Sequence, residues 1–541
     1  MKIVPARPFE DQKPGTSGLR KKVTTFQKPG YLETYIQSIF DSIPALSGGT
    51  IVIGGDGRFY NDTAIQIILS MAAANGVQKA LVSQSGLLST PACSHVIRKY
   101  GAAGGFTLSA SHNPGGPSGD FGIKYNGANG GPIVEAITEK IYNRSLVIDG
   151  YKIADNKPIA LDKIGRSQID EMEIEIFNGV KDYADLMETL FDFGAIRKLM
   201  TGGFDICFDA MHAITSPYAE EIFVNRLGAS PAVLMNSVPL PDFGGGHPDP
   251  GPTYAKDLFT KMFSRAAPDF GACSDGDGDR HIALGPNTYV SPSDSLAILT
   301  ANAHLVKAYR KGLSGVARSM PTSRAVDRVA KKLGIECFET PTGWKFFGNL
   351  LEAGRITICG EESASAGANH IREKDGIWAV LMWLNIIAVS EKSVEEIQRH
   401  HWQEFGRNYY SRHDYEGVEK TKAELLMQNL EQKFVELTGK KILGETILQA
   451  DNFTYVDPVD GSVSKNQGLR VDFESGSRIV LRLSGTGTVG ATVRLYLERY
   501  VPPTGDLNQE TQAALHVLKC IADKVAEIST TLDRTRPTVI S

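Results

Sequence analysis

Cysteine is scarce and scattered: six thiols in 541 residues (Cys93, Cys207, Cys273, Cys337, Cys359 and Cys520), with no Cys-x-x-Cys pair among them. That pattern excludes the usual zinc and dithiol redox sites and predicts buried, reduced thiols in a cytoplasmic setting. An apolar secretion signal is also lacking, because the first fifteen residues carry charges and prolines instead, so export is not expected. Long hydrophobic runs are missing as well. The longest, at residues 377–389, contains Asn385 and is too short to span a bilayer, so it reads as a buried helix with Asp375 as N-cap, and no membrane partner is expected. Charge is balanced, with 57 Lys+Arg against 62 Asp+Glu and a net charge of −5. No global basic field exists to attract nucleic acid, and an anionic ligand must be held by local positive groups.

What is present is length and rhythm. A chain of 541 residues exceeds one ordinary core and predicts several domains with room for a cleft between them. A short β-branched run at 50–54 leads through Gly55-Asp56-Gly57-Arg58 to a helix whose Ile65, Ile68, Leu69 and Ala72 share one face, closed by Asn75-Gly76. Further strands are predicted at 80–82 and 105–108. The pattern restarts with a strand at 204–208, a helix at 218–227 and a strand at 270–273, and again with a strand at 315–318, a helix at 322–333 and a strand at 356–358. Three restarts predict three α/β domains with mixed, largely parallel sheets, whose ligands sit beyond the strand ends. From about residue 400 the composition becomes charged and helical, then β-rich at 469–473, 477–483 and 491–500, with a last helix near 509–530. That stretch predicts a smaller α+β domain.

The most specific motif is Asp275-Gly276-Asp277-Gly278-Asp279-Arg280, directly after a predicted strand. Three carboxylates at spacing two repel one another unless a counter-ion neutralises them, and the glycines let the backbone fold tightly enough for them to converge on a hard cation. An EF-hand is excluded, since its sixth and twelfth positions are Arg280 and Pro286. Few protein oxygens and room for phosphate favour Mg²⁺ over Ca²⁺. A second segment, residues 107–116, places Ser111-His112-Asn113-Pro114 at another strand end. It lacks the hydrolase elbow, and a neighbouring His112 is poorly placed as base on an extended backbone. Taken alone it reads equally as a reactive serine or a plain turn. Residues 482–490 formally contain G-x-G-x-x-G, yet a strand rather than a helix follows, so a dinucleotide site is rejected. The hydroxyls and free N–H groups between Arg482 and Arg494 suit a phosphate or a simple hairpin turn. Finally, Cys359-Gly360-Glu361-Glu362-Ser363 and the run from His370 through Arg372 and Lys374 to Gly376 offer sugar- and phosphate-binding groups, or a charged surface loop.

In this order, these segments resemble the α-D-phosphoglucomutase family, together with Gly15-Thr16-Ser17-Gly18-Leu19-Arg20, Asp120-Phe121-Gly122-Ile123-Lys124 and Pro341-Thr342-Gly343-Trp344-Lys345. The match covers nearly the whole chain. The resemblance implies four domains around a central cleft: α/β domains at 1–190 with the phosphoserine loop, 191–292 with the metal loop and 293–402 with the sugar loops, then a phosphate-binding domain at 403–541 resembling the TATA-box-binding-protein fold. It implies reversible conversion of glucose 1-phosphate and glucose 6-phosphate, with Mg²⁺ and with glucose 1,6-bisphosphate as intermediate and activator. By position, Ser111 resembles the phosphoserine and, with Asp275, Asp277 and Asp279, the metal ligands. Arg20, His112, Lys124 and Arg280 resemble groups that offset phosphoryl charge. Thr342, Gly343, Glu361 and Ser363 resemble sugar contacts, with Arg372 nearby. Arg482, Ser484, Thr486 and Arg494 resemble a clamp on the non-reacting phosphate, and Lys374 is the candidate acid/base partner of the sugar oxygen. A monomer acting on a phosphosugar is expected.

One departure touches specificity. The family continues Gly-Glu-Glu-Ser with Phe-Gly and a Thr-Gly-Ser stretch, whereas Ser363 is followed here by Ala364-Ser365-Ala366-Gly367-Ala368-Asn369. Two alternatives therefore stay open: a related mutase acting on mannose or N-acetylglucosamine phosphates, and a catalytically silent binding or scaffold protein.

Overall fold

The computed structural model describes residues 1–484 and 490–541. It divides into two compact units, the first formed by Met1–Pro292, Asn302–Ser314 and Gly343–Val394, the second by Ser293–Ala301, Gly315–Thr342 and Glu395–Ser541.

In the first unit, a seven-stranded sheet runs in the order Leu19–Lys22, Asp120–Gly127, Gly104–Leu108, Thr50–Gly55, Lys79–Leu87, Met172–Phe177, Gly165–Ile169. Its middle strands are parallel and its margins antiparallel. The two central parallel strands, Gly104–Leu108 and Thr50–Gly55, are buried on both faces, which is why they lack polar alternation. The helix foreseen after the first strand spans Asn61–Ala74 and buries Ile65, Ile68, Leu69 and Ala72. A second sheet orders Leu234–Met235, Ile206–Asp209, Phe270–Cys273, Ile282–Gly285 and Thr288–Val290, parallel across its first three strands. The expected helix at 218–227 is instead a short α-helix, Thr215–Ala219, that widens into a π-helical stretch, Glu220–Arg226.

The apolar run near residue 380 forms the helix Gly376–Ser390, with the Asp375 carboxylate accepting the Trp378 N–H as its cap. Trp378, Trp383 and Leu384 are fully buried, and each side chain of that size contributes roughly 1.5–3 kcal/mol by leaving water. Among the described residues no single helix is long and apolar enough to cross a membrane. The strand expected at 356–358 lies at Ile358–Glu361, because the chain turns at Ala364 and pairs back antiparallel as Ser365–Ala368.

In the second unit, the parallel strands Gly315–Ser319 and Glu336–Thr340 are joined by the helix Ala325–Leu333. That helix starts later than its apolar pattern suggests, because the Ser323 hydroxyl accepts the Ala325 N–H and makes a turn there. An antiparallel seven-stranded sheet orders Lys441–Ile442, Glu445–Asn452, Leu469–Phe473, Arg478–Ser484, Ala491–Val501, Arg407–Val418 and Val539–Ile540. Helices Lys420–Gln432 and Thr511–Ala526 bury Leu426, Leu430, Leu515 and Leu518 in its core. The charged helical reading from residue 400 misses the strand Arg407–Val418. Among its polar side chains, Asn408 is buried on Glu498 and the Ser411 hydroxyl on the Ser541 carbonyl at 3.1 Å, so a strand paired on both sides carries the composition of a surface segment. Of the six free thiols, Cys337 and Cys520 are partly exposed rather than buried as expected.

Candidate active site

The strand Gly104–Leu108 delivers Ser111 into the first unit's interior, where it is 1% exposed. Ser111 has φ 53°, the left-handed region that a residue with a Cβ adopts at a cost of roughly 1–2 kcal/mol. Two contacts hold it there. Its carbonyl accepts from Arg58 Nη2 at 2.7 Å, and its N–H donates to Ser109 Oγ at 2.7 Å. The Ser109 hydroxyl donates in turn to Asp56 Oδ2 at 2.5 Å, and Asp56 pairs with Arg58 at 2.8 Å, both side chains wholly buried. This backbone overturns the objection to a Ser-His neighbour pair: it is not extended, and His112 Nδ1 lies 3.4 Å from Ser111 Oγ.

The acidic loop leaves Phe270–Cys273 and meets the serine loop directly. A Cβ on Gly276 would stand 2.3 Å from the Ser111 carbonyl oxygen, so only glycine permits that approach. Asp275, Asp277 and Asp279 are all buried, and one ligand atom from each lies within 4.8 Å of the others. Ser111 Oγ donates to Asp275 Oδ2 at 2.9 Å. Asp275 Oδ1 accepts the Asp279 and Arg280 N–H groups at 3.0 and 3.1 Å. Asp277 Oδ1 and Asp279 Oδ1 are buried without a hydrogen-bond partner. Burial, then the charges of Asp277 and Asp279, push the Asp275 carboxyl well above its ordinary value. Burial also opposes the charge on Asp277, but Lys124, Lys374 and the Thr90 hydroxyl outweigh it and hold that carboxyl below the usual range. Orphaned acceptors on three crowded carboxylates are what a hard divalent cation would satisfy.

Positive groups surround the cluster. Register places Arg20 opposite Gly122 and Lys124 opposite Thr107, so both rise from strands beside the serine loop. Lys124 Nζ lies 3.5 Å from Glu373 and 4.0 Å from Asp277. Burial disfavours its charge, yet Glu373, Asp277 and Asp279 prevail and raise it above the ordinary lysine value. Lys374 Nζ lies 3.0 Å from Asp279 Oδ2, and Arg280 Nη1 3.4 Å from Asp249. Burial, reinforced by Arg280, Arg20, His247 and Lys374, lowers His112 well below the ordinary imidazole value and keeps it neutral.

Of the expected sugar contacts, Gly343 N–H donates to Glu361 Oε1 at 3.1 Å, and Ser363 Oγ lies 3.4 Å from Ser365 Oγ. Ala364 sits at φ 63° in the tight turn. The Arg372 guanidinium is not brought to the cluster. It is taken up by Glu352 at 2.6 Å and the carbonyls of Asn369 and Ile371. In the second unit, the Thr342 hydroxyl is buried without a partner. Arg482 and Arg494 face each other across adjacent strands, as do Ser484 and Thr492. Arg482 Nε donates to the Gln467 carbonyl at 3.2 Å, and Arg494 Nε stands 3.9 Å from Asp414. Thr486 lies outside the described residues.

Residues 11–152, 181–288 and 292–405 match the models for phosphoglucomutase/phosphomannomutase alpha/beta/alpha domains I, II and III, and residues 407–538 match the phosphoglucomutase-1 C-terminal domain. The chain belongs to the phosphoglucomutase/phosphomannomutase family. Its relatives in that family include a phosphoglucomutase of Rhizobium radiobacter, 58% identical with all of both chains covered, and a cytoplasmic phosphoglucomutase of Bromus inermis, 49% identical over 99% of this chain and 98% of the relative. The crystal structure of pp63/parafusin, a phosphoglucomutase from Paramecium in its open form, superposes with TM-score 0.93 at 47% identity, covering 100% of this chain and 99% of that one. As a family member the chain is an enzyme of the mutase class, with three α/β/α domains and a C-terminal domain of antiparallel sheet and helices.

Sequence reasoning about this family member missed Asp56, Arg58, Thr90, Asp249 and Glu373. Asp56 and Arg58 were visible only as a polar turn after a strand. Glu373, which accepts from Asn126 at 3.0 Å as well as holding Lys124, looked like one more charge in a charged loop. The usable signal was a charged residue at a strand end, where the ligands of α/β sheets gather.

Proposed function

We propose that the chain is a phosphoglucomutase that interconverts glucose 1-phosphate and glucose 6-phosphate through a phosphoserine at Ser111. The observation that carries this reading is the 2.9 Å approach of Ser111 Oγ to Asp275 beside a buried, three-carboxylate cluster with two orphaned oxygens. Mg²⁺ suits these residues, with Asp275, Asp277, Asp279 and the phosphoserine as its holders, and when bound it would polarise the transferring phosphoryl group as a Lewis acid.

The phosphoserine passes its phosphoryl group to the free hydroxyl of the bound sugar phosphate, giving glucose 1,6-bisphosphate. The bisphosphate turns end for end, and its other phosphate returns to Ser111. Arg20, Lys124 and Arg280 offset charge on the equatorial oxygens, where catalysis of phosphoryl transfer mostly acts. Lys124 is suited to this as a permanent cation rather than as a base, because its carboxylate neighbours favour the charged form. Neutral His112 is a hydrogen-bonding partner for the serine oxygen, and Lys374 exchanges a proton with the sugar oxygen. Thr342, Gly343, Glu361 and Ser363 receive the sugar hydroxyls, Glu361 being oriented by the Gly343 N–H. Arg372 is assigned to support of its loop, given that its Nε and Nη1 are engaged by Glu352 and two carbonyls. Arg482, Ser484, Thr486 and Arg494 form the clamp on the second phosphate. The Arg482 and Arg494 guanidiniums stand on adjacent strands, with Asp414 near Arg494, and a phosphate dianion would offset the remaining like-charge repulsion, which supports that role. The domain boundaries at 190, 292 and 402 and a monomeric, cytoplasmic enzyme complete the proposal.

The test is a coupled assay with glucose 1-phosphate, Mg²⁺ and a trace of glucose 1,6-bisphosphate. Wild type should release glucose 6-phosphate and Ser111→Ala should not. Failure of the wild type, or faster turnover on mannose or N-acetylglucosamine phosphates, would refute the assignment.

A further inference from the structure

Asp277 and Asp279 each have one oxygen tied down and one left over, whereas Asp275 has both engaged, its Oδ2 by the Ser111 hydroxyl at 2.9 Å. Asp275 Oδ1 is held by the Asp279 and Arg280 N–H groups, and Asp279 Oδ2 by Lys374 at 3.0 Å. Asp277 Oδ2 is held by the Thr90 hydroxyl at 2.6 Å, leaving Asp277 Oδ1 buried and unpartnered. Thr90 itself is fully buried and opens the helix Thr90–Tyr100, whose cap is Ser89. Its backbone N–H also donates to the Asp277 carbonyl at 3.0 Å. Gly278, at φ 79°, lies so close that an added Cβ would stand 3.3 Å from Ser89 Cβ. The acidic loop is thus docked on the first turn of a helix that belongs to the other sheet of the unit, and Thr90 makes both of the bonds that fix Asp277.

We propose that Thr90 is a positioning residue for the cation site: by engaging Asp277 Oδ2 through its only hydroxyl hydrogen, it leaves Oδ1 as the oxygen offered to a divalent cation. This inference rests on the Mg²⁺ reading above. Mg²⁺ demands near-ideal octahedral geometry, so a carboxylate free to rotate, with Lys124 4.0 Å away as competitor, is a poorer ligand than one already anchored. Partners that orient metal ligands change affinity by about 10- to 100-fold when removed.

Thr90→Val keeps the shape of the buried side chain and removes the hydroxyl; Thr90→Ser keeps the hydroxyl. Binding of Mg²⁺ alone to the full, dephosphorylated chain, measured by titration calorimetry, should weaken by about tenfold or more in Thr90→Val and stay within about threefold of wild type in Thr90→Ser. Thr90→Ala gives the same reading if the valine variant does not fold. Wild-type affinity in the valine or alanine variant would overturn the assignment. So would equal weakening in Thr90→Ser, which would make packing rather than the hydroxyl responsible. A wild-type chain that binds no Mg²⁺ would instead sink the metal reading itself, and Asp277→Asn, expected to abolish binding, separates the two failures.

Discussion

Replacing Arg58 by Met removes the brace behind Ser111, the proposed phosphoserine, without touching any group proposed to meet substrate. Arg58 and Asp56 are both wholly buried and paired at 2.8 Å, so the substitution strands a carboxylate in the interior, which costs about 3–5 kcal/mol. The Ser111 carbonyl also loses its 2.7 Å donor, an unsatisfied acceptor that adds roughly 1–3 kcal/mol. Local opening of the serine loop should become easier by about 4–8 kcal/mol, a factor of about a thousand or more. Hydrogen exchange of peptides covering residues 107–120 reads this directly, and kcat should fall at least about tenfold with KM little changed, since the nucleophile is displaced rather than the sugar. The double variant Asp56→Asn with Arg58→Met removes the stranded charge as well and should recover about 2–3 kcal/mol of the loss. Exchange within about threefold of wild type in the single variant, or strictly additive losses in the double, would refute the reasoning.

Arg482→Ala or Arg494→Ala should raise KM for glucose 1-phosphate at least about tenfold. Arg482→Ala should leave the ligand-free chain equally stable or more stable by up to about 1 kcal/mol, because a like-charge pair across the sheet is relieved, whereas Arg494→Ala also removes a cation 3.9 Å from buried Asp414 and should give no such gain. Unchanged kinetics in both variants would dismiss the clamp. Asp294 is buried against the Trp402 indole N–H at 3.0 Å, and burial, opposed by that hydrogen bond, pushes its carboxyl up to about 6. The unfolded chain therefore loses this proton first, and the folded state becomes progressively less favoured from about pH 4 to about pH 6, then levels off. Asp294→Asn should show no gain at pH 4 and a gain of about 1–3 kcal/mol at pH 7.5 in denaturant melts. A pH-independent difference would dismiss the titration.

The β-α rhythm was legible wherever strands were buried on both faces. Thr50–Gly55 and Phe270–Cys273 are continuous apolar runs because helices or neighbouring strands cover them. Arg407–Val418 was not legible, because a strand that buries Asn408, Ser411, His413 and Asp414 has neither the apolar run nor the alternation that marks one. The surroundings of Arg372 were hidden for the converse reason. A cation in a charged loop reads as a candidate for phosphate, whereas the fold engages its Nε and Nη1 with Glu352 and two carbonyls.

The sequence by itself determined the chemistry on offer. Three aspartates separated by glycines must crowd their carboxylates whatever surrounds them, and a serine on a strand end must project beyond a sheet, since both follow from a few consecutive backbone bonds. Only the tertiary structure decided how those groups are aimed. The left-handed turn at Ser111 depends on Arg58, 53 residues earlier, and the choice of which Asp277 oxygen stays free depends on Thr90, 187 residues earlier. Local geometry is written in neighbouring residues, whereas the direction of a lone pair is set by whichever donor the fold brings within hydrogen-bonding distance.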